Sequence, residues 1–312
     1  MKKIVIDVMG SDNGPESLIE GAIAAAKANP DFRFVCVGEK TILEKEGLAS
    51  DPSFELLYSD DVIGCDEPAM STFKGRDSAS MVMALKKLKE DEKCVGLLSA
   101  GNTGALMVGS IFRLGMKEGY KSPALASLLP NLVGRRTALV DCGANVNPEA
   151  KDFVNFAVLG SELVSKMYSL PSPTVALLNV GKEEGKGTPL ILEAYNLLKE
   201  AGERGEINFI GNAEGYDIVT GYADVVVCDG YAGNLVLKVT EAVGKTAISV
   251  VNSLGDANTS GKILEKLTDL FVLNERGGAT FLGCIKPVIK MHGCAKEETV
   301  SACVEQLLTV SK

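Results

Sequence analysis

Six polar, glycine-rich turns carry most of the residues in this sequence that could do chemistry. Each follows a short apolar run, at 7–15, 99–104, 141–145, 179–187, 211–215 and 229–234. Ligands of open α/β sheets lie beyond the carboxyl ends of the parallel strands. If the preceding runs are parallel strands, the six turns meet at one sheet edge. They would then bring Asp, Asn and Lys side chains and free N–H groups to one cleft.

This set of groups is suited to the chemistry of anions. Lysine ammonium groups, helix N-termini and Asn amides bind an oxyanion and stabilise a second, developing negative charge. Phosphate fits such a cleft, because its dianion is already a nucleophile near neutral pH. A thioester fits as the electrophile, since a thiol with a pKa of about 8.5 leaves with little help from an acid. The residues indicate acyl transfer by positioning and oxyanion stabilisation, without a protein nucleophile.

Three common site motifs do not occur in the sequence. Ser99-Ala-Gly-Asn-Thr-Gly104 lacks the G-x-G-x-x-G spacing of a dinucleotide-binding turn. Gly244-Lys245-Thr246 ends like a P-loop, but the first glycine of that motif would fall on Val239. There is no G-x-S-x-G nucleophile elbow, and the single histidine, His292, excludes a His-rich metal site. Neither a metal nor a cofactor is therefore expected.

The elements that must position these turns alternate regularly along the chain. Apolar runs predict strands at 3–8, 33–37, 54–58, 94–99, 136–140, 174–179, 207–210 and 224–228. Helical periodicity predicts helices at 15–29, 78–90, 103–115, 149–168, 188–202 and 231–252. Strands separated by helices indicate βαβ units and an α/β fold, with a mostly parallel sheet covered on both faces.

Residues 254–262 are the best candidate for a loop. A stripe of apolar side chains follows within 262–273, formed by Ile263, Leu264, Leu267, Leu270 and Phe271. We interpret this stripe as a helix that faces the core or a second copy of the chain. A helix that lies on a membrane or docks a partner is the alternative.

The composition and net charge of the chain limit the classes of partner that it can bind. The chain has 312 residues, with 32 Lys and Arg against 41 Asp and Glu, for a net charge of −9. Nucleic acid is not expected as a partner, since it requires a clustered basic face. No apolar run approaches the ~20 residues of a membrane helix, and the stretch after Met1 is too short for a signal peptide. A cytoplasmic protein is expected.

The spacing of the cysteines favours buried thiols over a redox or metal motif. The eight cysteines form no C-x-x-C pair, and most are expected to be buried, reduced thiols. Cys294 follows His292-Gly293, which leaves a redox role open.

Without a repeat or a low-complexity linker, residues 1–312 are expected to form one large α/β domain. A short helical segment would project at about 252–276.

Taken together, the motifs resemble the PlsX family of phosphate acyltransferases of bacterial phospholipid synthesis. The resemblance runs from Asp7-Val-Met-Gly-Ser-Asp12 to Met291-His-Gly293. Its most specific segments are 99–107, 143–146, 177–181, 207–215 and 223–238. The resemblance implies a Rossmann-like, three-layer α/β/α fold related to phosphotransacetylases and to isocitrate dehydrogenase-like enzymes.

The resemblance also implies a reaction and a set of partners. A fatty acyl group would pass from acyl carrier protein to inorganic phosphate, giving an acyl phosphate and the free carrier. A glycerol-3-phosphate acyltransferase would consume the acyl phosphate. The family further implies a homodimer, and peripheral contact with the inner face of the membrane through an amphipathic hairpin.

Two residues that match family motifs look catalytic by this resemblance. Lys186, in a K-G pair, would hold phosphate or the oxyanion; its simpler interpretation is a solvated loop lysine. Asp229, in C-D-G, would orient phosphate or Lys186, or take a proton; its simpler interpretation is a turn-forming aspartate. The expected substrate-binding residues are Asp7, Gly10, Asp12, Ser99, Gly101, Asn102, Thr103, Asn145, Asn212, Glu214, Asn234, Lys238 and His292.

The chain departs from the family pattern in three places. Ser11 stands where the family has a glycine, Tyr216 stands where it has an arginine, and the segment between Val251 and Gly277 is short for a membrane hairpin. Two alternatives stay open, and the missing arginine and the short hairpin motivate the first. One is a phosphotransacetylase-like enzyme or an acyl-transfer subunit that uses a short-chain thioester. The other is a non-catalytic paralogue that binds acyl groups or phosphate.

An acidic carrier protein would require a local basic surface on this acidic chain. The candidates for that surface are Lys262, Lys266, Arg276, Lys286 and Lys290. The apolar stripe at 263–271 is a candidate to line a groove for the acyl chain.

Overall fold

The computed structural model of the chain describes residues 1–70, 75–254, 257–271 and 277–311. Its strands are β1 Lys2–Asp7, β2 Phe32–Gly38, β3 Phe54–Tyr58, β4 Cys94–Ser99, β5 Ala124–Pro130, β6 Arg136–Val140, β7 Thr174–Leu178, β8 Asn208–Ala213, β9 Val225–Val227, β10 Ala279–Leu282 and β11 Val288–Lys290. Its α-helices are α1 Glu16–Ala28, α2 Lys40–Lys45, α3 Ser80–Glu90, α4 Thr103–Gly109, α5 Ala150–Tyr168, α6 Pro189–Glu203, α7 Gly215–Thr220, α8 Gly230–Leu254, α9 Ala257–Phe271 and α10 Glu297–Val310.

The chain divides into two compact units, and the first comprises Met1–Pro123 and Asn274–Lys312. The strands of this unit follow the order β3-β2-β1-β4-β11-β10. All neighbouring pairs are parallel except β10 with β11. Strand β1 is buried through its apolar residues, as a strand covered on both faces must be. Helices α1 and α10 pack so closely at Gly21 that a side chain there would collide with Val300.

The second unit is Ala124–Leu273, with the strand order β5-β6-β9-β7-β8. Strands β6, β9, β7 and β8 are parallel, and β5 is antiparallel to β6. Each of the connections β6-α5-β7, β7-α6-β8 and β9-α8 carries a helix directly after a strand. The α/β class with a mostly parallel sheet is therefore confirmed in both units.

All eight predicted strands and all six predicted helices are present, with ends that differ by one to three residues in most cases. The helix predicted at 103–115 is α-helical only as far as Gly109, and Ser110–Leu114 form a π-helical turn. The loop predicted at 254–262 is wrong over most of its length, because α9 begins at Ala257. Part of it, residues 255 and 256, lies outside the described residues. The prediction of a single domain stays a prediction.

Helices α8 and α9 pack against each other. The close approach lies at Gly244, where a side chain would overlap Phe271. The apolar stripe predicted at 263–271 is confirmed as one helix, with Ile263 exposed and Leu270 and Phe271 half-buried. Within the described residues, no helix has the length and apolar character needed to cross a membrane.

The cysteines are free thiols, as expected. Six are buried, Cys65 is exposed and Cys294 is half-buried. Burial raises the pKa of Cys36 and that of Cys303 to about 12, which makes these thiols inert.

Candidate active site

In the first unit, the predicted site residues lie where β1, β4 and β11 end. Asp7 pairs with Ser99 across β1 and β4, and Ser99 pairs with Lys290 across β4 and β11. The Ser99 hydroxyl donates a 2.8 Å hydrogen bond to Asp7 Oδ2, and Gly101 N donates to Ser99 Oγ. The two turns that follow β1 and β4 are therefore joined at this edge, as the parallel arrangement predicts.

Asp7 is a fully buried carboxyl group. Burial raises its pKa from 3.8 to about 6. Hydrogen bonds limit this rise, and they come from Ser99, Ser80 and the backbone of Met9. The positive charge of Lys290 acts in the same direction as these hydrogen bonds. Asp7 thus titrates close to neutral pH, which fits a group at a functional edge.

The Asp7 carboxyl group should make stability depend on pH. The folded state binds the Asp7 proton more tightly than the unfolded chain, so ionisation of Asp7 lowers the free energy of unfolding. This loss is absent below pH 3.8, grows as the pH rises and is complete once the pH is well above about 6. The unfolding free energy of Asp7→Asn minus that of wild type should therefore rise by about 2 kcal/mol between pH 4 and pH 7. Urea unfolding of both proteins measures it, and a flat difference would contradict a buried charge.

The turn after β1 is held against the turn that carries His292. Asp12 N and the Ser11 hydroxyl both donate to the carbonyl oxygen of Gly293. Gly10 has a φ of +77°, and a Cβ there would lie 2.9 Å from the Cα of Gly101. Ser11, which departs from the family glycine, thus uses its hydroxyl within the fold.

His292 lies beyond β11 at the same edge. Its Nδ1 accepts a hydrogen bond from Cys294 N and lies 3.0 Å from Cys294 Sγ. Both residues are half-buried. His292 is therefore placed beside the predicted substrate-binding turns of this unit, whereas a substrate contact of His292 and a redox role of Cys294 stay predictions.

Asn102 has a structural role that its position after β4 did not reveal. Its Nδ2 donates to the carbonyl oxygens of Gly64, Cys65 and Glu67, and its Oδ1 caps α4 by accepting from Ala105 N. The amide is thus occupied within the fold, and Asn102 anchors the 64–67 loop. The neighbouring Thr103 is exposed at the start of α4.

Lys290 belongs to this edge, although sequence reasoning assigned it to a carrier-binding surface. Its ammonium group donates to the carbonyl oxygens of Ala100 and Met291. Lys286 likewise donates to the carbonyl oxygens of Leu88 and Asp91. Both lysines are used within the fold. Of the predicted basic surface, the exposed cations in the described part of the chain are Lys262 and Lys266, while Arg276 lies outside it.

In the second unit, a buried aspartate organises the first turn at the carboxyl edge. Asp141 follows β6 and accepts hydrogen bonds from the backbone of Leu125, Gly143, Ala144 and Asn145. It also accepts from the Asn145 side chain, at 2.8 Å. The sequence predicted the 141–145 turn but did not single out Asp141, although its place between a strand and a glycine is a signal for such a turn.

Asp229 follows β9 and begins α8. Its Oδ1 accepts a 2.8 Å hydrogen bond from Ala232 N, and its carbonyl oxygen accepts from Gly233 N, so Asp229 is the N-cap. Asp229 is half-buried. Within the part of the chain that the structure describes, Asp229 Oδ2 accepts no hydrogen bond. The Oδ1 oxygen of Asp229 therefore has a structural role.

The first turn of α8 touches the Asp141 turn so closely that only glycine fits. A Cβ at Gly230 would lie 2.8 Å from the carbonyl oxygen of Asn145. A Cβ at Gly233 would overlap the carbonyl oxygen of Asp141. These two glycines fix the N-terminus of α8, and with it Asp229, against the 141–145 turn.

Gly233→Ala should destabilise the protein by about 2 kcal/mol or more, because backbone must move to admit the methyl group. The matched control is Gly261→Ala in α9, where a Cβ would meet no atom within 4 Å. That change should stabilise the protein by about 0.5–1 kcal/mol, since alanine favours a helix. Urea unfolding measures both, and equal effects would contradict the close contact.

Lys186 lies in the turn after β7, which is the strand next to β9. Two asparagines hold the backbone of this turn: Asn179 Nδ2 donates to the carbonyl oxygen of Lys186, and Asn212 Nδ2 donates to that of Glu183. The Lys186 side chain is 53% exposed, and its Nζ lies 3.9 Å from Glu183 Oε1. The turn is thus fixed while the ammonium group extends from it. Among the residues that the structure describes, Asn212 Oδ1 is buried and has no hydrogen-bond partner.

The turn after β8 receives a cation from the turn after β7. Glu214 caps α7 in a reciprocal arrangement with Asp217. Lys182 Nζ donates a 2.9 Å hydrogen bond to Asp217 Oδ1 and lies 4.6 Å from the ring centroid of Tyr222. Burial opposes ionisation of Asp217, but Lys182 and the Glu214 N–H together lower its pKa. Lys182 thus brings a positive charge to this turn, where Tyr216 replaces the family arginine.

The remaining predicted residues of this unit lie on α8. Asn234 is exposed, and its side chain faces Gly143, with Oδ1 3.8 Å from a Cβ built there. Lys238 is exposed one turn further and pairs with Glu241 at 3.2 Å. Asn234 therefore borders the site edge, whereas Lys238 belongs to the solvent face of the helix.

Solved structures with a similar fold identify the fold of this chain. A phosphotransacetylase from Streptococcus pyogenes matches with a TM-score of 0.64 at 18% identity, over 99% of this chain and 93% of that one. A branched-chain phosphotransacylase from Enterococcus faecalis V583 matches with a TM-score of 0.64 at 16% identity, over 100% and 99%. At these identities the likeness shows the fold, which is that of the phosphotransacetylases.

The family follows from sequence. The family model described as "Fatty acid synthesis protein" matches residues 2–311. A phosphate acyltransferase from Thermoanaerobacter pseudethanolicus is 38% identical, over 97% of this chain and 92% of that protein. One from Clostridioides difficile is 36% identical, over 99% and 93%. The chain belongs to the PlsX family of phosphate acyltransferases and is an enzyme of the acyltransferase class.

Proposed function

We propose that this enzyme transfers a fatty acyl group from the thioester of acyl carrier protein to inorganic phosphate, giving an acyl phosphate for phospholipid synthesis. The observation that carries this proposal is the placement of Lys186 and Asp229 in turns after β7 and β9. These are neighbouring parallel strands, so both turns lie at one edge of the second unit. The N-terminus of α8 lies at the same edge and favours an anion.

In the proposed reaction a phosphate oxygen attacks the thioester carbonyl carbon. The new C–O bond forms, the carbonyl oxygen becomes an oxyanion, and the C–S bond then breaks to release the carrier thiolate, which takes a proton. Lys186 holds phosphate or the oxyanion, because its ammonium group extends from a fixed turn. Asp229 uses its second carboxylate oxygen to orient phosphate or Lys186, or to take a proton.

The test is release of free thiol from purified enzyme with hexadecanoyl-carrier protein, with and without phosphate, against acetyl-coenzyme A. We expect phosphate-dependent release from the carrier substrate. Preference for acetyl-coenzyme A would favour the phosphotransacetylase-like alternative. Binding of acyl groups or phosphate without thiol release would favour a non-catalytic paralogue.

We propose that the enzyme is a cytoplasmic homodimer that touches the membrane surface peripherally. One face of α8 supports the homodimer, because it exposes apolar side chains: Tyr231, Leu235, Val239, Val243 and Val250. Leu254, 82% exposed, and Ile263 support membrane contact by the α8–α9 hairpin. The product would pass to a glycerol-3-phosphate acyltransferase, which consumes acyl phosphate.

Carrier docking is proposed to use the exposed lysines of α9. The double variant Lys262→Glu, Lys266→Glu should weaken binding of the acidic carrier and flatten its dependence on salt, because rim charges steer association. Surface plasmon resonance at two ionic strengths measures both quantities. Lys27→Glu, an exposed lysine of α1 in the first unit, is the control. Unchanged binding by the double variant would exclude these two lysines as the carrier-docking surface.

A further inference from the structure

An apolar pocket lies entirely within the second unit, between β5, α7, α8 and α9. Its empty space, counted together with the open solvent at its mouth, is about 350 Å³. The residues that carry the argument are Leu129, Leu132, Val219, Thr240, Leu270 and Phe271. Two of them, Leu270 and Phe271, belong to the stripe that the sequence offered for an acyl groove.

The polar side chains in the wall are occupied by other parts of the fold. Thr240 Oγ1 donates a 2.8 Å hydrogen bond to the carbonyl oxygen of Val236. Asn131 donates to Thr137 Oγ1 and accepts from Val133 N. The wall therefore presents hydrocarbon to the pocket and offers little to a polar ligand, which would lose its hydration there.

Helix α8 connects this pocket with the proposed reaction site. Ala232, Val236 and Thr240 follow one another at intervals of four residues, so they form one row on the helix, and all three are half-buried. Ala232 N binds the Asp229 carboxylate, and Thr240 lines the pocket. The rise of 1.5 Å per residue places Thr240 roughly 15 Å from Gly230 along the axis, the length of an extended chain of about a dozen methylenes.

We propose that this pocket binds the distal end of the fatty acyl chain and so sets the preferred chain length. The inference rests on the proposed function, which places the thioester at Asp229. Long chains then gain affinity from burial of their terminal methylenes, whereas chains of six carbons do not reach the pocket.

Filling the pocket should lower kcat/KM for long acyl chains far more than for short ones. Thr240→Phe should lower kcat/KM for hexadecanoyl-carrier protein tenfold or more and that for hexanoyl-carrier protein less than twofold. Lys245→Phe is the control, because Lys245 is exposed on the same helix and lies outside the apolar face of α8 proposed for the homodimer. It should change neither value. Equal losses for both chain lengths with Thr240→Phe, or no loss for the long one, would overturn the proposal.

A binding measurement tests the pocket without turnover. The chain contains no tryptophan, so Leu132→Trp introduces a single reporter at the pocket mouth. Titration with monomeric hexadecyl phosphate should shift its emission to the blue, and the added change Thr240→Phe should abolish the shift. Absence of a shift would overturn the proposal. A shift in an enzyme that releases no thiol from any thioester would contradict the proposed function and support the pocket.

Discussion

Replacement of Lys186 by alanine is expected to lower kcat/KM for the transfer of an acyl group to phosphate by about 10²-fold or more, the scale of losing one oxyanion donor. The reason is local. Asn179 and Asn212 hold the backbone of the turn, so the side chain is not needed to shape it. Its ammonium group lies 3.9 Å from Glu183, which leaves it able to approach an anion.

The same variant should leave stability unchanged, since exposed side chains away from special contacts contribute within about 0.5 kcal/mol. Lys199→Ala is the matched control, because Lys199 is also a half-exposed lysine that faces a glutamate, Glu184, at 3.4 Å. Initial rates at varied phosphate concentration, with urea unfolding of each variant, make the comparison. Wild-type turnover by Lys186→Ala would reduce Lys186 to a solvated loop lysine.

The fold could be predicted from sequence where the pattern was long and regular. Parallel strands buried on both faces are apolar runs, and the eight runs that the sequence showed are strands. The missed strands are different. β10 and β11 have four and three residues, so pairing with their neighbours defines them rather than their own composition. β5 is antiparallel to β6 and lies outside the βαβ pattern.

The site was harder to predict, because an Asn, Asp or Lys after a strand can serve the ligand or the backbone. Asn102 uses its whole amide to anchor a loop and cap a helix. Asp141, which was predicted only as part of its turn, accepts hydrogen bonds from the N–H groups of that turn. Lys290 could not be placed beside Ser99, because its strand had not been recognised. Residue type and spacing predicted which turns follow neighbouring strands, and the hydrogen bonds show which of their side chains are used within the fold.

Substitutions of Asp229 can distinguish its structural role as a helix cap from its role in the reaction. Its Oδ1 caps α8, and a capping oxygen is kept in Asp229→Asn, since asparagine caps as well as aspartate. We expect Asp229→Asn to fold with wild-type stability and to lose about 10²-fold in kcat/KM, because the charge that orients phosphate or Lys186, or accepts a proton, is gone.

Asp229→Ala removes both the charge and the cap, and should lose the same activity and about 1 kcal/mol of stability as well. Thiol-release rates and urea unfolding of the two variants therefore distinguish the two functions of one side chain. If Asp229→Asn turned over like wild type while Asp229→Ala lost stability and activity together, Asp229 would act only as the N-cap of α8. The negative charge of Asp229 would then have no part in the reaction.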